Sequence, residues 1–442
     1  MRYRRPSLVL MLLAAPLLSC SSSTPIAVGG PDTGPNPVLP LPQKKLIPTV
    51  DIAPAVGWPQ GAMPQPSAGL QVRAFATGLD HPRTLHVLPN GDVLVAESNA
   101  PPKPDGPSGI KGMVMKAVMK KAGAAVPSAN RISLLRDADG DGVAELRTAF
   151  LTGLNSPFGM ALVGDTLYVA NTDAVVRFPY RTGQTSIDVA PVKVASLPAG
   201  PINHHWTKAM VASPDGNTLY VGVGSNSNVA ENGMENEVDR ASILTVDIAS
   251  GATRVHASGL RNPTAMDWNR QDGRLWAVVN ERDELGDELV PDYLVSVRQG
   301  GFYGWPYSYF GGNLDPRVEP RAPALVATAL VPDYALGSHV APLGLAFHDG
   351  NGLPATYRGG AFIGMHGSWN RSPPSGYKVV FVPFQQGSPS GPMQTVLDGF
   401  VNARGEAQGR PVAVAVGKDG ALLVADDVGN TIWWLGSAPP AR

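Results

Sequence analysis

Histidine and arginine residues recur beside short apolar segments along this chain. Six segments each pair two apolar runs, and the residues just before the first run or just after the second are mostly polar or ionisable. The histidines at these positions are His81, His204, His205, His339 and His366, and the arginines are Arg261, Arg282, Arg371 and Arg410. Histidine can remove a hydroxyl proton near neutral pH, and guanidinium groups bind carboxylates through paired hydrogen bonds. The pattern predicts a small-molecule enzyme with an anionic cofactor or substrate.

Other chemistries are excluded by what the sequence lacks. It has no G-x-S-x-G or H-E-x-x-H motif, and its only cysteine is Cys20, so the common nucleophile and zinc-hydrolase signatures are missing. Charged residues make up 16% of the chain, the net charge is −1, and no Lys/Arg tract is present. We therefore expect no nucleic-acid partner.

The six paired segments predict the fold. Each has a short apolar strand, a Gly-containing turn and a second apolar strand, as in HPRTLHVLPNGDVLVAE and WTKAMVASPDGNTLYVGVGS. The copies span 81–97, 156–171, 206–225, 262–281, 341–368 and 410–427. Asp-Gly or Asn-Gly between alternating strands is a strong hairpin signal. Six such repeats without helical crossovers predict an all-β, six-bladed β-propeller, with an irregular pair of β-sandwiches as the alternative. In a propeller, equivalent strand ends meet at one mouth of a central channel, which would bring the histidines and arginines together.

The N-terminal region predicts export. Residues 1–20 combine Arg2, Arg4 and Arg5 with a short apolar run and end in Leu-Leu-Ser-Cys, which resembles a lipoprotein signal peptide with Cys20 as the acylated residue. We expect a protein anchored by lipid on the periplasmic side of a bacterial membrane, and Ser21 favours the outer membrane. Residues 21–68 are rich in Ser, Pro and Gly and predict a flexible tether, whose tail from Pro48 through Trp58 could lie against the globular body. Residues 69–442 predict the propeller.

Two further segments lie outside the repeats. Asp137, Asp139 and Asp141, with Glu145 after them, resemble a calcium-binding loop of EF-hand type. The twelve-residue pattern ends at Thr148 instead of a glutamate, so an Asp-Gly-rich hairpin turn is the alternative. The insertion 101–129 contains KGMVMKAVMKK, a basic, Met-rich stretch that is typical either of a cover for the channel mouth or of a surface excursion.

Several motifs resemble one family. The segments GLDHPRTLHVLPNGDVLVAES, NHHWTKAMVASPDGNTLYVGVGSNSN, GLRNPTAMDW, NERDELGDELVPDYL, GGFYGWPYS, GMHGSWNR and GRPVAVAV occur in order between residues 50 and 435. They are similar to the sorbosone dehydrogenase family, which is related to soluble glucose dehydrogenase and aldose sugar dehydrogenase and uses pyrroloquinoline quinone (PQQ). The resemblance implies oxidation of the hydroxyl of a sugar or a hydrated aldehyde, with PQQ and Ca²⁺ as cofactors. It also implies an electron acceptor, which the sequence leaves open between a quinone and a cytochrome.

The resemblance assigns roles to individual residues. It implies that His205 is the general base, with His204 as the second choice, and that Arg261, Asn262 and Arg410 bind PQQ. His366 or Arg371 would replace a lysine that contacts the quinone in the relatives. The backbone carbonyls of Arg282 and Asp283, followed by the Asp287–Glu288 pair, match the calcium position of the relatives.

Two departures from the family pattern keep other functions open. Ser225 stands where the relatives have an aspartate after the catalytic histidine, and Val412 stands where they have a second cofactor-binding arginine. One alternative is a calcium-dependent propeller lactonase, with Glu97, Asn155 and Asp426 as oxygen ligands. The other is a non-catalytic surface propeller.

Overall fold

The computed structural model describes residues 29–43, 49–102 and 119–439, which form six antiparallel sheets arranged as propeller blades. The strands of each blade are named from the innermost to the outermost. Blade 1 consists of Pro82–Val87, Val93–Glu97, Arg131–Arg136 and Leu146–Leu151. Blade 2 consists of Met160–Val163, Thr166–Ala170, Ala174–Pro179 and Val192–Ser196. Blade 3 consists of Met210–Ala212, Thr218–Val223, Ser242–Asp247 and Thr253–Ser258.

The second half of the ring has the same plan, and two of its blades gain a fifth strand. Blade 4 consists of Pro263–Asn269, Arg274–Val279, Pro291–Ser296, Tyr334–Ser338 and the added strand Thr33–Gly34. Blade 5 consists of Pro342–His348, Gly360–Met365, Lys378–Val382, Gln394–Asp398 and the added strand Gln65–Pro66. Blade 6 consists of Pro411–Val416, Leu422–Asp426, Thr431–Ser437 and Leu70–Ala76. The prediction of a six-bladed propeller is confirmed.

Short elements fill the connections between these strands. Two small hairpins pair Ser308–Tyr309 with Asn313–Leu314 and Phe384–Gln385 with Ser388–Pro389. Single turns of helix occur at Met234–Glu237, Pro323–Val326 and Ala355–Tyr357. No helix among the described residues is long and apolar enough to cross a membrane.

The sequence of each blade explains its local structure. In blade 1, Gly91 takes a φ of 102° in the turn between the two inner strands, a conformation that glycine adopts at little cost. The strand Val93–Glu97 that follows is buried along its whole length, since each sheet is covered on both faces by its neighbours. Apolar clusters therefore lie between adjacent blades, as between blades 2 and 3 around Tyr168, Leu219 and Leu244. With Cys20 as the only cysteine, these clusters replace disulfides as the source of stability.

The ring is closed by strands from the two ends of the propeller domain. Leu70–Ala76 pairs with Thr431–Ser437, with Leu70 opposite Ser437 and Val72 opposite Leu435. This pairing completes blade 6 and covers the edge of Thr431–Ser437, the last strand in the sequence. The six inner strands all start at the same face of the ring, so their first residues surround one mouth of the channel.

The N-terminal region corrects one prediction. The described parts of the expected tether, 29–43 and 49–68, lie against the propeller instead of extending from it. Thr33 pairs with Leu336, Gln65 pairs with Asp398, and the Trp58 ring packs on Trp433 with a centroid separation of 5.5 Å. The contact of Trp58 agrees with the expectation for the tail of the tether. The pairings of Thr33 and Gln65 were not expected from composition, because edge strands tolerate proline and very short pairings suffice to attach a segment. The predicted signal peptide, Cys20 and most of the KGMVMKAVMKK stretch lie outside the described residues.

Candidate functional site

His205 lies in the loop before the inner strand of blade 3. Its Nδ1 atom is 2.7 Å from the carbonyl oxygen of Ser225. A carbonyl can only accept a hydrogen bond, so Nδ1 carries the proton and Nε2, on the other side of the ring, carries the lone pair. Burial, followed by the nearby charge of Arg261, holds the pKa of His205 well below its usual value. The ring is therefore a neutral base at neutral pH.

Gly224 lets His205 and Asn262 approach each other. A Cβ atom at residue 224 would lie 2.3 Å from Asn262 Oδ1 and 2.5 Å from His205 Cβ, closer than van der Waals contact allows. Asn262 Oδ1 is buried and has no hydrogen-bond partner among the described residues. An unpaired buried amide oxygen is costly, and a bound ligand would satisfy it. The structure thus places two of the predicted site residues side by side.

A buried carboxylate stabilises the turn that orients His205. Glu237 accepts a hydrogen bond from the backbone N–H of Asn226 at 2.8 Å and another from the Ser227 hydroxyl. Ser225 Oγ in turn donates to the Ser227 carbonyl at 2.6 Å. Burial raises the pKa of Glu237. The imidazole is thus contacted by the Ser225 carbonyl of this hydrogen-bonded turn.

Arg261 provides a fixed positive charge beside the base. Its guanidinium donates to Glu281 O at 2.7 Å, to Asn228 Oδ1 at 3.1 Å and to Asp283 Oδ2 at 3.2 Å. Burial would raise the pKa of Asp283, but Arg261 and then His339 outweigh that effect and lower it. Because most Arg261 donors already have protein partners, its main contribution to the mouth is its charge.

A second polar cluster lies where blades 1, 5 and 6 meet. The Asp427 carboxylate accepts hydrogen bonds from Arg83 Nη1 and from His366 Nε2 at 3.0 Å, and the Asp427 carbonyl lies 3.2 Å from His81 Nδ1. Burial alone would raise the pKa of Asp427, but His366, His81 and Arg83 hold it below its usual value. Sequence reasoning missed Arg83, which lies in the inner strand of blade 1 just after His81.

Arg410 is a buried cation with few protein partners at the mouth. Its side chain donates to the Ala53 carbonyl at 3.2 Å and lies 5.0 Å from the centre of the Tyr377 ring. Within the described chain it forms no ion pair, and its Nε has no hydrogen-bond partner; the Nε of Arg83 is likewise buried and unpartnered. Buried cations are normally paired, so Arg410 favours an anionic ligand at this mouth.

Arg282 and Arg371 differ from the sequence expectation of free cations at the mouth. The Arg282 side chain is fully buried and contacts Glu281 at 2.9 Å and Asp315 at 3.3 Å. It therefore stabilises blade 4 and is not available to a ligand. Arg371 donates to both carboxylate oxygens of half-exposed Glu288 at 2.9 Å, and its Nε is buried without a hydrogen-bond partner among the described residues.

The calcium position implied by the family resemblance is also altered. The Asp283 carbonyl accepts hydrogen bonds from Arg317 Nη1 at 2.8 Å and from Asn228 Nδ2 at 3.2 Å. A guanidinium at this oxygen would repel a divalent cation, so the Asp283 carbonyl does not fit the predicted role of calcium ligand. Glu288, from the acidic pair expected nearby, is bound to Arg371.

The acidic loop between the third and fourth strands of blade 1 brings four carboxylates together that could hold a cation. Carboxylate oxygens of Asp137, Asp139, Asp141 and Glu145 lie within 4.8 Å of one another. This is the one such convergent group found among the residues that the structure describes. The loop follows a strand that runs away from the mouth, so it lies on the opposite face of the propeller. A cation there would stabilise the loop and would not reach the mouth.

The carboxylates that a lactonase would need face protein donors. Glu97 accepts hydrogen bonds from Arg131 at 2.9 and 2.7 Å. Asp426 accepts hydrogen bonds from the indole N–H groups of Trp58 at 2.7 Å and Trp433 at 3.1 Å. Both carboxylates therefore already have protein donors, which does not favour them as oxygen ligands of a lactonase metal.

Comparison with known proteins places this geometry in a family. The family model described as TrAA12-like matches residues 64–291 and 326–438. The chain belongs to the TrAA12-like family. An uncharacterised protein of Borreliella burgdorferi is 28% identical over 291 residues, covering 63% of this chain and 75% of that protein. A protein named pyrroloquinoline quinone-dependent pyranose dehydrogenase, from Coprinopsis cinerea, is 34% identical over 125 residues, which are 24% of this chain and only 16% of that enzyme.

Solved structures share the TrAA12-like architecture. A Trichoderma reesei carbohydrate-active enzyme of family AA12 superposes with a TM-score of 0.69 at 20% identity, covering 88% of this chain and 99% of that structure. The holo PQQ domain of the pyranose dehydrogenase from Coprinopsis cinerea gives a TM-score of 0.68 at 18% identity, covering 87% and 100%. The family relationship to PQQ-dependent sugar dehydrogenases agrees with the resemblance seen in the sequence motifs.

Proposed function

We propose that this protein is a PQQ-dependent oxidoreductase that oxidises the hydroxyl of a sugar or hydrated aldehyde, with His205 as the general base. One observation supports this most directly: the Ser225 carbonyl fixes the His205 proton on Nδ1 and leaves Nε2 as a neutral base. The name of the relative from Coprinopsis cinerea, a pyrroloquinoline quinone-dependent pyranose dehydrogenase, points to the same chemistry.

The residues at the mouth fit PQQ, a flat tricarboxylate ortho-quinone. Arg410 supplies a buried cation without an ion pair, Arg83 an unpartnered buried Nε, and Asn262 an unpartnered buried oxygen. His366 uses Nε2 toward Asp427, which leaves Nδ1 for a ligand. We propose that these four residues hold PQQ, while Arg261 supplies positive potential beside His205. A family arginine is absent at Val412, and Arg83 provides a guanidinium at the same mouth.

The proposed reaction divides the work between cofactor and protein. PQQ, when bound, supplies a two-electron acceptor for hydride. His205 Nε2 accepts the proton from the substrate hydroxyl, and the Ser225 carbonyl stabilises the resulting imidazolium through the Nδ1–H bond. Asn262, packed against His205 over Gly224, limits where the substrate carbon can lie relative to the base.

Calcium has a separate position in this proposal. Because Arg317 donates a hydrogen bond to the Asp283 carbonyl, we place the best-supported Ca²⁺ site in the loop of Asp137, Asp139 and Asp141, on the face away from the mouth.

We further propose a lipid anchor at Cys20 and a location on the periplasmic side of the membrane, most readily the outer membrane. Labelling with a radioactive fatty acid, with Cys20→Ala as the control, tests the anchor: label retained in the variant would contradict it.

The central experiment uses the full chain purified in detergent. PQQ is added, its absorbance is followed to measure binding, and dye reduction is recorded with a panel of aldoses and aldehydes. We expect binding and dye reduction together. His205→Ala should abolish turnover and leave PQQ bound, whereas unchanged turnover would mean that another group is the base. Absence of both PQQ binding and dye reduction would favour the non-catalytic propeller.

A further inference from the structure

A separate cavity lies beside the mouth on blade 3. Its volume is about 380 Å³, within the range of about 300–1,000 Å³ typical of small-ligand sites. One wall is the segment around Pro201 and Ile202, just before His204. The other is the segment from Asn226 to Arg240, which follows the catalytic turn at Ser225. The proposed oxidation chemistry does not use this cavity.

The cavity begins next to the proposed base. Asn226 lines it, and Asn226 Oδ1 accepts the backbone N–H of His204 at 3.3 Å. The His204 and His205 rings are in edge contact, with centroids 4.7 Å apart. A ligand lying over His204, which is exposed, would therefore reach from His205 into this cavity.

The wall chemistry suits a sugar ring. Val238 is 67% exposed and, with Pro201 and Ile202, offers apolar surface to the flat face of a pyranose. Asp239 and Asn236 are exposed at its edge and offer a carboxylate and an amide for hydroxyl groups. This pairing of apolar surface with a few polar groups is the pattern of a small-ligand site.

The charges of the cavity select against an anionic ligand. Arg240 is buried at its back and donates to the Ala199 carbonyl at 3.0 Å and the Gly224 carbonyl at 3.2 Å. Two exposed carboxylates, Glu235 and Asp239, outnumber this single cation. A phosphorylated or uronic sugar would face net repulsion here, so a neutral ring is favoured.

We propose that this cavity is a subsite for the second ring of a neutral oligosaccharide whose terminal ring is oxidised at His205. This inference rests on the proposed function and specifies its substrate class. If the C1 hydroxyl of the terminal ring lies at His205 and that ring extends over His204, its opposite end, C4, would lie on the side of Asn226 and the cavity. The geometry therefore points to 1→4-linked disaccharides as preferred substrates over monosaccharides.

The kinetic test compares glucose, maltose and cellobiose on the PQQ-loaded full chain. We expect kcat/KM for at least one disaccharide to exceed that for glucose by about tenfold. Val238→Trp fills the cavity from an exposed position and should remove this preference while leaving the glucose value unchanged. Val192→Trp, at the exposed outer edge of blade 2, is the matched control and should keep the preference. Equal disaccharide-to-glucose ratios in wild type and Val238→Trp would overturn the proposal.

A binding measurement separates this proposal from the proposed function. Methyl β-cellobioside, methyl α-maltoside and methyl β-glucoside are titrated into the PQQ-free full chain by calorimetry. We expect one disaccharide glycoside to bind about tenfold more tightly than the glucoside, and Val238→Trp to abolish the difference. If the PQQ-loaded protein oxidises no sugar but this difference persists, the proposed function fails and the subsite stands. If all three glycosides bind alike, the subsite fails whatever the activity.

Asp239→Asn provides a second, milder variant. Asp239 has a φ of 56°, a conformation that asparagine also tolerates, so the substitution changes the charge and preserves the backbone. We expect it to weaken disaccharide binding without changing the glucose kcat/KM. Unchanged affinity for both disaccharide glycosides would remove Asp239 from the site and contradict its proposed role as a hydrogen-bond acceptor for the sugar.

Discussion

The packing at Gly224 makes Gly224→Ala the sharpest test of how the site is positioned. The added methyl would lie 2.3 Å from Asn262 Oδ1 and 2.5 Å from His205 Cβ. Carbon atoms in contact prefer a separation of about 3.5–4.0 Å, so His205 must move by roughly 1 Å. Overpacking of this kind costs about 1–3 kcal/mol of folding free energy. A displacement of about 1 Å in a catalytic group can lower the rate about 100-fold.

The assay measures kcat/KM for sugar oxidation together with the free energy of unfolding. We expect Gly224→Ala to lower kcat/KM about 100-fold, equivalent to about 2.7 kcal/mol of transition-state stabilisation. Gly352→Ala is the matched control, since its Cβ would meet the Gly420 carbonyl carbon at 2.1 Å in the hairpin turns on the opposite face. The control should be destabilised similarly and keep its kcat/KM.

Two outcomes would refute the reasoning about Gly224. If Gly224→Ala keeps the wild-type kcat/KM, then the position of His205 does not limit the reaction, and the assignment of the base loses its geometric support. If Gly352→Ala loses activity to the same extent, then the effect reports loss of folded protein and not displacement of His205.

Further predictions concern the base, its supporting turn and the acidic loop. In the PQQ-free protein, ¹H–¹⁵N NMR should show that His205 protonates only below its ordinary pKa, since burial and Arg261 lower it. Ser225 Oγ lies 3.2 Å from His205 Nδ1, so Ser225→Asp should move that titration to higher pH, and no movement would contradict this side-chain contact. Glu237→Gln should lower kcat about tenfold with KM unchanged, because a carboxamide cannot accept both hydrogen bonds of the turn. A change in KM alone would contradict the role of Glu237 in orienting His205. Glu406→Gln serves as the control. Ca²⁺ should raise the melting temperature by binding to the loop 137–145, without changing kcat, and Asp139→Asn should remove this rise in melting temperature. A kcat that depends on Ca²⁺ in this variant would place the cation elsewhere.

The sequence predicted the propeller because each blade repeats one local signal. Hairpin turns such as the one at Gly91 depend on residues a few positions apart, and six copies in order leave few folds open. The approach of His205 to Asn262 was also predictable, since equivalent strand ends of neighbouring blades meet at one mouth.

Which partner each side chain selects was not predictable from the repeats. Arg282 and Arg410 occupy similar positions beside strands, yet Arg282 pairs with Glu281 and Asp315 while Arg410 has no ion pair among the described residues. That difference depends on loops such as the one carrying Asp315, which have no repeat signal. The sequence indicated that the segment ending at Trp58 could lie against the propeller, but not that its ring would pack on Trp433, because a single long-range contact leaves no periodic pattern in the sequence.

The strand pairing that closes blade 6 sets the order in which parts of the propeller can fold. Leu70–Ala76 and Thr431–Ser437 lie at opposite ends of the propeller domain, so the ring cannot close until the last residues of the domain have left the ribosome and, in an exported protein, crossed the membrane. Arg83 of blade 1 and Asp427 of blade 6 face each other across this junction. We therefore expect the anion-binding side of the mouth to be assembled last, so that a cofactor would be captured by a completed ring and would in turn hold its two ends together.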